Sequence, residues 1–223
     1  MLEKSTNKIY INSGNDDVLS LVLKPNSRIL DVGCGGGSLG KILTASGHLV
    51  DGITISNEEF KIASVFLNNV YLYNLELGLP ENISQSQYDY VICSHVLEHI
   101  VYPDKLLRDI YDVLKPSGFL VVALPNVMHY NSRLKLMAGN FNYEDAGIWD
   151  NTHVKWYTFE SAKKLLANQG FLIDVVTVTG ELPLNTVFSK VFSPFIRIKI
   201  FDMLKNISKG FFGYQILIRA KKY

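Results

Sequence analysis

Cysteine is almost missing from this chain. Cys34 and Cys93 are the only two thiols in 223 residues, too few for a disulfide framework at this size. We read both as reduced, mostly buried thiols of a cytoplasmic protein. An excess of one charge is missing as well. The net charge is +1, so the bulk field is not built for nucleic acid and no nucleic-acid partner is expected. No apolar run reaches the roughly 18 residues a membrane span requires. The first 25 residues are polar, without the apolar core of a secretory leader. There is no internal repeat and no low-complexity tract. What remains is 48% hydrophobic and 19% charged, an ordinary globular composition, long enough for one domain with a substantial core. We take 1–223 as that domain.

From Arg28 to about Val122 short apolar runs alternate with helical patterns. "RILDV", "HLVDGITI", "VYLYNL", "YDYVICS" and "FLVVALP" are strand candidates. Leu39, Ile42 and Leu43 follow the first at helical spacing, and Ser56 caps a predicted helix from about Glu58 to Leu67. Leu106, Leu107, Ile110, Val113 and Leu114 form one helix face, stopped by Pro116-Ser117-Gly118. Strands alternating with helices imply a parallel sheet covered on both faces, with ligands at the carboxyl ends of its strands. Residues 126–158 break the rhythm with aromatics, Asn and His around one short helical pattern, and we read them as a cover over that edge. "FESAKKLLANQG" returns to helix, capped by Thr158, and "FLIDVVTV" and "GYQILIRA" supply a sixth and seventh strand.

The first turn, "DVGCGGGSLG", holds two overlapping glycine patterns. Gly35-x-Gly37-x-x-Gly40 is the dinucleotide pattern, but a dinucleotide turn places its first glycine straight after the strand. The strand ends at Val32, which favours Gly33-x-Gly35-x-Gly37 and leaves Gly40 for helix–strand packing. Asp31 stands at the strand's carboxyl end. A carboxylate there repels a pyrophosphate and attracts a ligand bearing ammonium and sulfonium groups.

"RILDVGCGGGSLGKIL", "YDYVICSHVLEHI" and "LLRDIYDVLKPSGFLVVALPN", in this order, resemble a class I S-adenosylmethionine-dependent methyltransferase. The segment from Leu124 to Phe171 resembles a bacterial subgroup associated with surface-polysaccharide and glycan biosynthesis. The resemblance implies an α/β fold: a three-layer doubly wound sheet of seven strands, mostly parallel, the last antiparallel. It implies S-adenosyl-L-methionine as cofactor and S-adenosyl-L-homocysteine as product. Asp31, Gly33, Cys34, Gly35 and Gly37 then cradle the methionine part, and Ser94 and His95 border it from strand four. The family's ribose-binding acid at the end of strand two is replaced by Thr54, followed by Ile55. Glu59 is the candidate to reach back to the ribose, although Ser56-x-x-Glu59 also fits a capping box. Asp51 lies inside the strand and reads as structural or exposed. After strand three the family's acid is replaced by Asn74, followed by Leu75.

Methyl transfer needs alignment, exclusion of water and, for a hydroxyl acceptor, a base. His153 in "GIWDNTHVKWYT" and His129 are the candidate bases, each with a structural backbone tie as the alternative. His95, Glu98 and His99 resemble a metal-binding Glu-x-x-Glu-His arrangement found in some methyltransferases of this class. Here His95 takes the first place and His129 is the candidate for the later ligand. Leu-Glu-His also occurs in relatives without metal, and no metal is our expectation. Residues 184–205 form a C-terminal helical addition with an apolar set (Phe188, Val191, Phe192, Phe195, Ile196, Ile200, Phe201, Leu204), a break near Ser193-Pro194, and interleaved Lys190, Arg197, Lys199 and Lys205. Such a stretch suits core, a dimer face or peripheral membrane contact.

The expectation is therefore an O-methyltransferase, monomer or homodimer, acting on a sugar hydroxyl or small polar metabolite. The alternatives are a catalytically silent cofactor-binding module, a metal-assisted RNA or quinone O-methyltransferase, and a dehydrogenase, which Asp31 and the glycine register disfavour.

Overall fold

The computed structural model describes residues 14–83, 85, 87–183 and 185–222. The start of the polar N-terminal stretch (1–13) and Leu184, the first residue of the C-terminal addition, lie outside the described residues. The chain opens with α1 (Asp16–Leu19), β1 (Arg28–Val32), α2 (Ser38–Ala45), β2 (Leu49–Thr54), α3 (Asn57–Ala63) and β3 (Asn69–Leu72). It continues through β4 (Tyr88–Ser94), α4 (Pro103–Val113), β5 (Leu114–Pro125), α5 (Tyr130–Met137) and α6 (Phe159–Asn168). β6 (Phe171–Thr179), α7 (Asn185–Phe188), α8 (Pro194–Ile207), α9 (Lys209–Phe212) and β7 (Gln215–Lys222) complete it.

All seven strands form one sheet in the order β3-β2-β1-β4-β5-β7-β6. The pairings among β1 to β5 are parallel, and β7 runs antiparallel between β5 and β6. Successive strand residues serve opposite faces. Leu30, Val32, Val91 and Cys93 join the core beneath α4 and α6, whereas Ile29, Val50, Tyr90 and Ile92 join the core beneath α1, α2 and α3. Burial on both faces is why these strands read as unbroken apolar runs.

Three boundaries differ from the sequence reading. The helix after Ser56 ends at Ala63, not Leu67. Asn68 and Asn69 both donate to Asp51 Oδ1, at 2.8 and 2.9 Å, which draws the chain out of the helix and into β3. The third strand stops at Leu72, because Asn74 caps a 3-10 turn at Leu75–Leu77 by accepting from the Glu76 amide. α4 ends at Val113, and Leu114 already belongs to β5, opposite Tyr88. The Ser193-Pro194 break is present: Ser193 is the N-cap of α8 and Pro194 its first residue.

Candidate active site

The parallel strands direct the ends of β1, β2, β3 and β4 to one edge, and the predicted cofactor residues come together there. Gly33, at φ +73°, turns the chain out of β1; a Cβ there would stand 2.5 Å from Val96 Cγ2. Gly37, at φ +79°, starts α2, and a Cβ there would press on the backbone of Ala63 at 3.1 Å. Both positive φ values disfavour a side chain, and at Gly33 the space excludes one as well. Cys34 is buried and its amide donates to Ile53 O at 2.8 Å, locking the loop to β2. Burial pushes both thiols up, so Cys34 and Cys93 are held as neutral thiols.

Asp31 is 2% exposed, and its Oδ2 has no hydrogen-bond partner among the described residues. Burial pushes its carboxyl up to about 7. An acid kept unsatisfied at the end of β1 is poised for a cation.

At the end of β2 the absent acid is met by a neighbour. Thr54 donates to Glu59 Oε2 at 2.6 Å, with both residues buried. The Ser56 hydroxyl accepts the Glu59 amide at 3.4 Å, so half of the capping box is present. The Glu59 carboxylate nevertheless reaches back over the strand end. Asp51 is fully buried and takes hydrogen bonds from Asn68, Asn69, Tyr88 and Arg28, which is a structural role. Ile55 and Leu75 are half-buried at this edge, and the Asn74 oxygen is already engaged by the Glu76 amide.

Beyond Ser94 at the end of β4, His95 adopts φ +57°. Its Nε2 lies 2.6 Å from Gln215 Oε1 and its Nδ1 lies 3.2 Å from Glu98 Oε1. Asn15 Nδ2 donates to the same Gln215 oxygen, and Gln215 Nε2 donates to Thr179, which fixes the amide orientation. Burial works against the charged imidazole, but the Glu98 hydrogen bond, the Glu98 charge and Gln215 outweigh it and raise its pKa. His95 lines a cavity of about 480 Å³ together with Ser94, Asp16, Asp17, Tyr214 and Gln215.

Glu98 is completely buried in the short turn after β4, and its Oε2 has no hydrogen-bond partner among the described residues. The cover segment is pinned onto this turn. The amides of Val154 and Lys155 donate to Glu98 O, and Tyr157 Oη donates to Leu97 O. That docking brings His153 Nε2 to 4.0 Å from Glu98 Oε1 and its ring to 4.8 Å from the His99 ring. His153 Nδ1 faces Ile148 O at 3.1 Å, and His99 Nδ1 faces Thr152 O at 3.2 Å. A carbonyl only accepts, so each Nδ1 carries a proton. One ligand atom each from Glu98, His99 and His153 lies within 4.8 Å of the others. Their donor set, one carboxylate and two imidazoles with tautomers fixed by backbone carbonyls, suits a divalent cation.

His129 is not part of this group. Its buried ring packs on Tyr130 and Tyr214, burial pushes its pKa down to about 4, and its Nδ1 has no partner among the described residues. The candidate ligand set His95, Glu98, His99, His129 is thus corrected. His95 turns to Gln215, and the later histidine is His153. What marks His153 is its place directly before Val154, Lys155 and Tyr157, the points at which the cover is tied to the turn after β4.

Comparison with known proteins decides the family. The methyltransferase-domain profile matches residues 11–175. The chain belongs to the methyltransferase domain family. Its cofactor is S-adenosylmethionine, and the dehydrogenase alternative falls. The chain is 35% identical over 165 residues to the ubiquinone biosynthesis O-methyltransferase of Aeromonas salmonicida, covering 72% of this chain and 69% of that protein. It is 28% identical over 204 residues to the mitochondrial ubiquinone biosynthesis O-methyltransferase of Mus musculus, covering 88% of this chain and 51% of that protein. The chain thus spans about half the length of the mouse relative. A SAM-dependent methyltransferase of Archaeoglobus fulgidus shares the fold with a TM-score of 0.62 at 24% identity, over 87% of this chain and 86% of that one. The relatives support the quinone alternative better than the sugar-directed expectation.

Proposed function

We propose that the chain transfers a methyl group from S-adenosylmethionine to a hydroxyl of a small aromatic acceptor of the catechol or quinol type. The observation that carries this reading is the buried, half-satisfied Glu98 carboxylate between His95, His99 and His153, beside the strand ends that hold the cofactor. Asp31 pairs with the cofactor's ammonium, the glycine turn cradles its methionine part, and Ser94 and His95 border the methyl group. Glu59, positioned by Thr54, accepts the ribose hydroxyls, with Ile55, Asn74 and Leu75 around the adenosine. In the transfer the acceptor oxygen bonds to the methyl carbon as the carbon–sulfur bond breaks, and the acceptor proton passes to the Glu98–His153 pair. Residues 126–158 cover this site and exclude water. Their aromatic cluster suits a flat acceptor: Trp149 stands 5.0 Å from Phe141 and 6.3 Å from Trp156 between ring centroids. Cys34 and Cys93, free and buried, are consistent with a reducing, cytoplasmic setting.

A metal-assisted form of the same reaction is favoured by the meeting of one carboxylate and two imidazoles, Glu98, His99 and His153, within 4.8 Å of one another. Held there, a divalent cation supplies Lewis acidity to an acceptor hydroxyl.

The test is turnover. The full chain, S-adenosylmethionine and a catechol acceptor should yield S-adenosylhomocysteine and a singly methylated ether, while nucleotide sugars should not. Methylation of the sugars alone overturns the acceptor assignment. Cofactor binding without turnover on any acceptor favours the silent module.

A further inference from the structure

The C-terminal addition separates charge and exposes apolar surface in a way the transfer reaction does not use. Residues 185–212 carry five basic side chains and one acid, Asp202, so this segment is net +4 in a chain of net +1. Asp202 is engaged by Lys205 at 2.6 Å. On α8, Phe195, Lys199, Met203 and Ile207 recur every fourth residue and form one ridge. Phe195 is 64% exposed and Ile207 72% exposed, with Ile196 and Met203 exposed beside them. The Lys199 ammonium sits 4.5 Å from the centre of the Phe195 ring. The opposite side of the helix is anchored by the buried Phe201. The apolar set read from the sequence is therefore split between an inner and an outer side.

We propose that the outer ridge of α8 seats the protein on an anionic lipid bilayer surface. An apolar ridge carrying Lys199, in a segment of net +4, matches the boundary between acyl chains and anionic headgroups. The same ridge is a poor dimer face, because a symmetric pair sets a +4 segment against its own copy. No helix among the described residues is long and apolar enough to cross a membrane, so the contact is peripheral. Arg197, Phe201 and Lys205 line a cavity of about 420 Å³, and it shares Asp17, Thr179, Gly180 and Glu181 with the cavity at His95. The inner side of the seated helix thus borders a cavity that adjoins the one at His95.

The proposal goes beyond the acceptor reading and is tested without an acceptor. The full chain is floated with phosphatidylcholine vesicles and with vesicles of phosphatidylcholine mixed with phosphatidylglycerol. Binding to the mixed vesicles, weakened by salt and reduced at least about tenfold in the Phe195→Ser, Lys199→Glu variant, is the expected result. S-adenosylhomocysteine titration of the same variant should match the parent, which separates loss of the seat from loss of the fold or the cofactor site. Equal binding to both vesicles, or an undiminished variant, overturns the proposal. So does a parent that ignores vesicles but sediments as a dimer that this variant dissociates, which assigns the ridge to a second copy.

Discussion

The Thr54 hydroxyl donates to the Glu59 carboxylate at 2.6 Å across the end of β2. A residue on the first turn of α3 thereby places its charge where the strand itself has none. Removing that charge should weaken the cofactor and little else. Glu59→Gln is expected to lower S-adenosylhomocysteine affinity about tenfold to a hundredfold, the range for losing a hydrogen bond to a charged group. Thr54→Val, which leaves the carboxylate but not its orientation, should lose less. Calorimetric titration measures both, and unchanged affinity in Glu59→Gln would return Glu59 to a capping role.

Asp51 gives the opposite pattern. It is fully buried with four side-chain partners, and two of them end α3 and open β3. Asp51→Ala should destabilise the fold by about 2–4 kcal/mol. Cofactor affinity at temperatures where the variant remains folded should hold within about twofold of the parent. Denaturant unfolding and titration together separate this residue from the ribose site.

Asp31 is expected to set the pH dependence of cofactor binding. Burial holds its carboxyl up at about 7 in the free chain, and a cationic ligand binds the ionised form. Affinity for S-adenosylhomocysteine, which keeps the ammonium, should be full above pH 7 and fall by up to about tenfold per unit below it. In the free chain the folded state holds this proton more tightly than the unfolded state does. Its stabilising contribution is thus present at acid pH and is lost as pH rises from the ordinary aspartate range to about 7. Asp31→Asn should flatten both profiles, as followed by calorimetry and thermal unfolding across pH.

The Glu98, His99 and His153 group should respond to divalent metal. Manganese binding, read by calorimetry or electron paramagnetic resonance, should be lost in His153→Ala and kept in His129→Ala, because only His153 stands with Glu98 and His99. If chelator leaves turnover unchanged and neither variant alters manganese binding, proton transfer to Glu98 and His153 stands alone.

Much of the fold was legible because its signals are local. Apolar runs mark the buried strands, Ser56 and Thr158 cap their helices, and Pro194 starts a new one. The ends of α3 and β3 were not legible, since Asp51 draws Asn68 and Asn69 to itself through tertiary contacts. The glycine turn could be read because strand end, turn and acid are contiguous in sequence. His153 was read as a candidate base, but its meeting with Glu98 depends on how the cover folds back, through the Val154 and Lys155 amides. Spacing alone carries no trace of that return. Of the outer side of α8 the apolar set holds Phe195 and Ile196 but not Met203 or Ile207, and which side turns outward depends on how the helix packs.

What the glycine turn holds is the claim on which the other assignments rest. It is tested by calorimetric titration of the full chain with S-adenosylhomocysteine, with NAD run in parallel. The account predicts saturable heat with S-adenosylhomocysteine, lost in Asp31→Ala, and none with NAD. Binding of NAD, or silence with both ligands, would contradict it.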